Sequence, residues 1–341
     1  SNITITVTDS LGNVSDTLSV SSFIVDTTSP GMTITANEIS TGVSYNSSSL
    51  ALTFTSTEDT SNFAVGNISV SNGNLSNFNV TNNSIYTATF TASSEGICTI
   101  DVADGEYSDA AGNSSSAAPQ FSWTYDITSP TISEVTPIST PGNDTTPTVT
   151  FSTDKIGTLT TNITDGFING ASIDITSTGN HSVTFATMSA GTYSDVSLIL
   201  TDAANNETEL TLTEFEIDVT GPTMTITAAE VSDEATSNDG SLSLTFTSSE
   251  ATSTFASGDI SVTNGTLSNF ATSSTTVYTA TFTPTDNGAC TIDVAAGAFT
   301  DAVGNGNSAA TQFNWTYDGE SPTMTITAAE VSDEATSNDG S

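Results

Sequence analysis

Acidic residues recur along this sequence at three kinds of position, and their types and spacing suggest one chemistry. The first kind is a lone Asp that opens a short stretch ending in Ser-Pro or Gly-Pro, at intervals of 100, 92 and 100 residues: Asp26, Asp126, Asp218 and Asp318. The second kind follows a strand-like run: Glu58, Asp154 and Glu250. The third kind opens a loop rich in Gly or Asn: Asp9, Asp109, Asp202 and Asp301.

Carboxylates gathered without a basic neighbour repel one another unless a cation lies between them. Oxygen ligands favour a hard divalent ion such as Ca²⁺ over transition metals. The same loops carry Asn113, Asn206 and Asn305, which either add oxygen ligands or form turns. We therefore predict calcium sites built from these acids. The alternative is that the Asp and Asn residues serve only turns, caps and solubility.

Chain topology predicts that the acids meet. In an antiparallel sandwich with Greek-key connections, the entering linker, the loop after the second strand and the loop before the last strand lie at one end of a module. We call this end the N-terminal pole. The prediction places three acids at each pole: Asp26, Glu58 and Asp109; Asp126, Asp154 and Asp202; Asp218, Glu250 and Asp301.

The Asp-to-Pro stretches divide the chain into modules. Residues 27–126 (the first module) and 219–318 (the last module) align without a gap and form a first type. Residues 127–218 (the middle module) form a second type, and 1–26 match the C-terminal part of that type. Residues 319–341 are predicted to be the N-terminal strands of a further module, since 322–341 repeat 222–241. We expect a segment of a longer repetitive chain.

Apolar residues alternate with Thr and Ser through each module, as in the run of Leu242, Leu244 and Phe246. Turn residues separate these runs, and none shows helical spacing. About seven short strands in a hundred residues predict an all-β fold of tandem immunoglobulin-like β-sandwich modules arranged end to end. Cys98 and Cys290 occupy the same place in the two first-type modules, and we expect buried free thiols.

The chain resembles the bacterial immunoglobulin-like repeats of giant surface adhesins and extracellular filaments. The motifs that carry the resemblance are the "DxTSP"-type junctions, "TMTITAAEVSD", "LTFTSSEAT", "TIDVAAGAFTDAVGN" and "FNWTYD". It covers almost the whole chain. The resemblance implies extracellular, end-to-end rods, often with calcium at the junctions.

The charge of the chain excludes several classes of partner. There is one basic side chain other than His, Lys155, and the formal net charge is −38. We expect no nucleic-acid binding, because nothing is available to neutralise phosphates. No run is apolar enough to span a bilayer, so we expect no direct membrane insertion by this segment. A single His, His181, and no recurring catalytic motif lead us to expect no enzyme.

Two functions remain open at the level of sequence. The first is a structural repeat region of a secreted cell-surface stalk or extracellular filament, stiffened by calcium at the junctions. Its partners would be neighbouring modules of the same long chain, and other copies in a fibre. The second is an adhesive module that recognises a surface glycan or protein. Loops without aromatic clusters favour the structural function.

Overall fold

The structure, a computed structural model, describes residues 3–21, 23–327, 329 and 336. It divides into two compact units, each with its own β-sheets. The first unit holds Ser1–Pro137, Thr148–Ala186 and Asp195–Thr213, and the second holds Ile138–Pro147, Thr187–Ser194 and Glu214–Ser341. Among the described residues, no helix has the length and apolar character needed to cross a membrane.

The first unit begins with an antiparallel pair, β1 (Ile3–Ile5) and β2 (Leu18–Val20), whose apolar side chains are exposed. The first module follows with eight strands: β3 (Met32–Ala36), β4 (Ser44–Tyr45), β5 (Ser49–Ser56), β6 (Ser69–Ser71), β7 (Gly73–Asn82), β8 (Ile85–Ala92), β9 (Gly96–Asp101) and β10 (Phe121–Tyr125). They form two four-stranded sheets, in the orders β3-β5-β8-β7 and β4-β10-β9-β6. A 3₁₀ turn, Val65–Asn67, precedes β6.

Both sheets of the first module contribute to one core. Alternate residues of each strand point inward, so Phe54, Phe90 and Trp123 are at most 1% exposed. The rings of Phe90 and Trp123 meet edge to face at 4.7 Å. Each large apolar side chain buried in this way stabilises the fold by about 2–3 kcal/mol. Cys98 lies in the same core as a free thiol, which confirms that prediction.

The middle module contains nine strands: β11 (Ile132–Thr136), β12 (Thr148–Thr153), β13 (Gly157–Thr161), β14 (Ser172–Ile175), β15 (Gly179–Thr184), β16 (Gly191–Tyr193), β17 (Ser197–Thr201), β18 (Glu207–Thr211) and β19 (Phe215–Ile217). In the first unit they form two sheets, β11-β12-β15 and β14-β13-β17-β18. The pair β16-β19 belongs to the second unit.

The last module, in the second unit, repeats the arrangement of the first. Its strands are β20 (Met224–Ala228), β21 (Thr236–Ser237), β22 (Leu242–Ser248), β23 (Ile260–Thr263), β24 (Gly265–Thr272), β25 (Val277–Pro284), β26 (Gly288–Val294) and β27 (Phe313–Tyr317). The sheets are β20-β22-β25-β24 and β21-β27-β26-β23, with a 3₁₀ turn at Ser257–Asp259. Phe246, Phe282, Cys290 and Trp315 occupy its core.

The all-β prediction of tandem immunoglobulin-like modules is confirmed, with two local departures. The short strands β4 and β21 were not predicted; each adds a two-residue parallel pairing to the last strand of its module and carries no apolar alternation. In β24 the period of two breaks between Leu267 and Phe270, because a bulge with Asn269 at φ 52° inserts an extra residue.

Part of the predicted chain organisation lies outside the described residues. This holds for residues 1, 2 and 22 of the predicted C-terminal part of a module at 1–26. It also holds for 328, 330–335 and 337–341 of the predicted module start at 319–341. The module boundaries themselves remain predictions.

Candidate cation sites at the module junctions

A tight turn positions each junction Asp. In all four, Oδ1 accepts a hydrogen bond from the backbone N–H two residues later, at 3.0 Å for Asp26, 2.9 Å for Asp126 and Asp218, and 3.2 Å for Asp318. Such a turn is the local role that the alternative interpretation gives to Asp. Because it uses only Oδ1 of the carboxylate, Oδ2 is left for another partner.

The loop before the last strand holds its acid more tightly. Asp301 is 3% exposed, and its Oδ1 accepts the backbone N–H groups of Val303, Gly304 and Asn305 at 2.7–2.9 Å. Asp109 and Asp202 are also buried and occupy equivalent loops. The carboxylate therefore closes its own loop and stays charged in a buried position.

An Asn in the same loop ties the acid to the linker. Its Nδ2–H₂ group donates both to the loop acid and to the backbone carbonyl of the junction Asp. The second bond measures 3.2 Å from Asn113 to Asp26, 2.9 Å from Asn206 to Asp126, and 2.8 Å from Asn305 to Asp218. The sequence predicted that these Asn residues add oxygen ligands or form turns. The structure shows a hydrogen-bonding role for the amide nitrogen at all three poles.

Two groups of three carboxylates result. Because β5 pairs antiparallel with β3, the residue two positions after β5 lies where the linker enters. Asp26, Glu58 and Asp109 each offer one carboxylate oxygen, and these atoms lie within 4.8 Å of one another. Residues Asp218, Glu250 and Asp301 form the same group in the second unit. The structure therefore brings together the predicted acids at two of the three poles.

In each group, the pKa of the Glu is raised. Burial raises the pKa of Glu58, and the neighbouring charges of Asp26 and Asp109 raise it further. Burial, Asp218 and Asp301 raise the pKa of Glu250 in the same way. By contrast, the hydrogen bond from the Asn113 side chain lowers the pKa of Asp109. Within each group, the charged form of the Glu is thus less stabilised by the protein than that of the loop Asp.

The middle pole differs from the prediction, because a basic side chain lies within it. Lys155 Nζ contacts Asp126 Oδ2 at 3.0 Å and Asp202 Oδ2 at 3.0 Å, and it donates to the carbonyl of Thr128. Burial lowers the pKa of Lys155, but its hydrogen bonds to Asp126 and Asp202 outweigh that effect and raise it. The expectation of three carboxylates without a nearby cation is therefore wrong at this pole.

Asp154 does not take the place that the sequence alignment gave it. Its Oδ1 accepts the backbone N–H of Thr131 at 2.7 Å, just after the linker Pro. In the other modules a hydroxyl plays this part: Thr57 Oγ1 accepts from Gly31, and Ser249 Oγ accepts from Thr223, both at 2.9 Å.

The equivalence of strands shows the reason. The buried Ser56 and Thr153 end β5 and β12, and they pair with the second residue after the linker Pro, Met32 and Ile132. Two positions further on stand Glu58 and Lys155, whose backbone N–H groups both point back to that hydroxyl, at 3.4 and 3.2 Å. The equivalent of Glu58 is thus Lys155, and the acidic alignment was displaced by one residue.

The two outlying acids of the prediction belong to no group of three among the described residues. Asp9 is exposed and accepts the N–H groups of Leu11 and Asn13 at 2.9 and 2.8 Å, as the loop acids of the other modules do. Asp318 makes the linker turn, and its own N–H donates to Ser237 at 3.0 Å. Both have the expected local geometry without converging acids.

A contact on the other side of the middle junction was not predicted from the sequence. Glu95 Oε1, from the first module, accepts the N–H of Ile127 and the hydroxyl of Thr128, both at 2.8 Å. The linker after Asp126 is thus held from both modules. At the corresponding position of the last module, Asn287 Oδ1 accepts the N–H of Gly319 at 2.8 Å. The one indication of such contacts in the sequence was that the N–H groups of the linker need acceptors.

Comparison with solved structures returns distant likenesses. Invasin, a bacterial integrin-binding protein, is 16% identical with a TM-score of 0.29; the match covers 84% of this chain and 60% of that one. InvD of Yersinia pseudotuberculosis is 14% identical with a TM-score of 0.31, over 87% of this chain and 100% of that one. This chain thus spans about 60% of the length of the invasin chain. Among curated proteins, none matches.

A family model gives the assignment. The model of the bacterial Ig-like domain matches residues 26–127 and 218–317, together more than half of the chain. Both matches begin at a junction Asp and contain one complete group of three carboxylates. This chain belongs to the bacterial Ig-like domain family.

Proposed function

We propose that this chain is a structural repeat region of a cell-surface stalk or extracellular filament, stiffened by Ca²⁺ at its junctions. One observation carries the proposal. In both first-type modules, an acid of the entering linker shares a group of three carboxylates with two acids of the module, within 4.8 Å. A cation held by all three ties the linker to the module.

The donor set fits Ca²⁺. Asp218, Glu250 and Asp301 offer carboxylate oxygens alone, and the one Lys of the chain is engaged with Asp126 and Asp202. Hard oxygen ligands of this kind suit Ca²⁺, and extracellular modules bind it at about 10⁻⁴–10⁻³ M. When bound, the ion supplies positive charge that offsets the mutual repulsion of the acids. The protein's part is to hold Asp301 in its loop and Asp218 in its turn.

A mechanical function follows from the place of the groups. Pro30 and Pro222 restrict the backbone of the linker, and their carbonyls accept the N–H groups of Ser116 and Ser308 at 3.0 and 3.1 Å. Between the junction Asp and the Pro, the linker is held by the Asx turn and by the loop Asn that donates to the carbonyl of the junction Asp. A cation on the junction Asp would add a further link between this stretch and the module. The partners we propose are neighbouring modules of the same chain and other copies in a fibre, outside the cell.

Calcium binding is tested by titration calorimetry on the whole chain. We expect two Ca²⁺ per chain for the wild type and one for Glu250→Gln. Glu209→Gln, which neutralises an exposed Glu on β18, is the matched control and should keep two. Absence of binding at millimolar Ca²⁺ would overturn the calcium part of the proposal.

Stiffening is tested separately, by small-angle scattering and limited proteolysis with Ca²⁺ and with a chelator. Chelation should broaden the distribution of maximum dimensions and open the linkers after Asp26 and Asp218 to cleavage. Unchanged scattering and cleavage, in a chain that binds Ca²⁺, would show that the ions have no mechanical effect.

A further inference from the structure

The three N-terminal poles share one hydrogen-bonded frame. Each has the Asx turn of the junction Asp, the buried loop acid, and the Asn that joins the two through its Nδ2–H₂ group. They differ at the position two residues after the end of β5, β12 or β22. Two poles carry an acid there, Glu58 and Glu250, and the middle pole carries Lys155.

At the middle pole, oxygen atoms surround the ammonium group as they would surround a metal ion. Lys155 Nζ lies 3.2 and 3.0 Å from the two carboxylate oxygens of Asp126 and 3.0 Å from Asp202 Oδ2, and it also contacts the carbonyl oxygen of Thr128. Its side chain is 26% exposed, against 4% for Asp202. A surface Lys with only solvent around it would not converge on three residues of two separate segments.

We propose that the Lys155 ammonium group is a built-in replacement for the divalent cation, so that the middle junction is locked without metal. The contacts join the linker (Asp126 and Thr128) to the module (Asp202), which is the connection that a bound ion makes at the other poles. The positive charge also repels a second cation. This inference rests on the proposed function for the meaning of the other two poles, but the contacts of Lys155 stand without it.

The consequence is that the junctions of this chain are of two kinds. Junctions that enter a first-type module, at Asp26 and Asp218, respond to the calcium concentration. The junction that enters the middle module, at Asp126, does not. Removal of calcium would therefore loosen the chain at the junctions of Asp26 and Asp218, leaving the first and middle modules joined as a pair by Lys155 and Glu95.

Exchange of one side chain between poles tests the assignment. In calorimetry with Ca²⁺ on the whole chain, Lys155→Glu should bind three ions in place of two, and Glu250→Lys should bind one. Glu209→Lys has the same charge change as Glu250→Lys on an exposed strand position and should keep two. A folded Lys155→Glu chain that still binds two ions would overturn the proposal.

A second measurement needs no calcium. In a chelator, hydrogen exchange of the amides in 127–133 should be about tenfold faster in Lys155→Gln, because charge-assisted hydrogen bonds are lost. Glu250→Lys should slow exchange at 219–223 by a similar factor. Equal exchange in variant and wild type would contradict the role of Lys155.

The two measurements separate the possible failures. If the wild type binds no Ca²⁺, the proposed calcium function fails, and exchange in the chelator alone decides whether Lys155 locks the junction. If Lys155→Glu does not fold, Glu250→Lys decides: two bound ions, or unchanged protection at 219–223, would overturn the proposal.

Discussion

The pole of the last module and the pole of the middle module have the same backbone frame and opposite charge at one position. Glu250 completes a group of three acids in one, and Lys155 joins two acids in the other. In the first arrangement, burial and the neighbouring acids raise the pKa of Glu250, and we propose that a cation offsets their repulsion. In the second, the ammonium group of the chain itself contacts both acids. Under this proposal, a single side chain sets whether a junction responds to calcium.

Loss of the loop acid should distinguish the poles most strongly. Asp202→Ala leaves the half-buried Lys155 with one carboxylate fewer and also removes the acceptor of Ala204 and Asn206, so local opening should become easier by about 2–4 kcal/mol. Asp301→Ala removes the carboxylate that accepts the loop N–H groups, but it also relieves repulsion with Glu250. Without calcium, we therefore expect local opening at this pole to become easier by about 1–2 kcal/mol. Hydrogen exchange at 126–131 and at 218–223 in a chelator measures both.

The matched variants Asp202→Asn and Asp301→Asn keep the shape of the loop. Equal losses for Asp202→Ala and Asp301→Ala would show that the loops, and not the cation partners, determine the stability of the poles.

Neutralisation of Glu250 should destabilise the last module in the presence of calcium and stabilise it in a chelator. At calcium tenfold above the dissociation constant, Glu250→Gln should lose about 1.4 kcal/mol of ligand stabilisation. In a chelator it should gain about 0.5 kcal/mol, since a repulsive charge is gone. Fluorescence of Trp315 in a Trp123→Phe background follows unfolding of the last module, because the chain has two Trp residues and neither lies in the middle module. The same sign in both solutions would remove the case for a cation at this pole.

Acidification should release calcium before it breaks the Lys155 pair. The folded pKa values of Glu58 and Glu250 are raised, so protons compete with calcium as the pH falls through those raised values. Without calcium, these two Glu favour the folded state at low pH and lose that contribution as the pH rises through the same values.

At the middle pole, the pKa of the acid is shifted in the opposite direction. Burial raises the pKa of Asp202, but hydrogen bonds from Asn206 and Lys155 outweigh that effect and lower it. Its contribution is therefore present above the unfolded value and is lost only as the pH falls through the lowered one. The raised pKa of Lys155 places its own loss at alkaline pH. Calcium titrations and hydrogen exchange between pH about 7 and about 4 test this order; simultaneous loss at both poles would contradict it.

Salt should have the smallest effect, again of opposite sign. In a chelator, screening relieves repulsion among Asp218, Glu250 and Asp301 and weakens the pair of Lys155 with Asp126, each by less than about 1 kcal/mol. Hydrogen exchange at both linkers across a range of NaCl concentrations measures the difference. In Lys155→Met the salt effect at 126–131 should change sign, because Asp126 and Asp202 are left without the ammonium group between them. An unchanged salt effect would place its origin elsewhere.

Most strands were predictable because burial imposes a period of two on a half-exposed strand. The runs around Phe246, Phe282 and Trp315 all became strands with those residues in the core. The two-residue strands β4 and β21 were not predictable in this way, because a parallel pairing of two residues buries no alternating face. The bulge at Asn269 was not predictable for a related reason, because it breaks the two-residue period of the strand.

The candidate sites were predictable where two modules repeat each other. Glu58 and Glu250 follow identical strand ends, so their equivalence needed no structure. In the middle module the aligned acid, Asp154, was the wrong neighbour. Its carboxylate caps the N–H of Thr131, a task that the hydroxyl of Thr57 performs in the first module. A carboxylate and a hydroxyl both accept such a bond, and the sequence shows no sign of which task an acid performs.

The strand pattern, the repeat and the presence of acids at loops that share a pole follow from the sequence alone, because these depend on the period of burial and on chain direction. Which side chain reaches the centre of the middle pole is set by the folded structure. That choice depends on the register of β12 against β11, where Ile132 pairs with Thr153. A shift of one residue along a strand end exchanges a side chain that faces the linker N–H for one that faces the acids. In this chain it exchanges a carboxylate for an ammonium group.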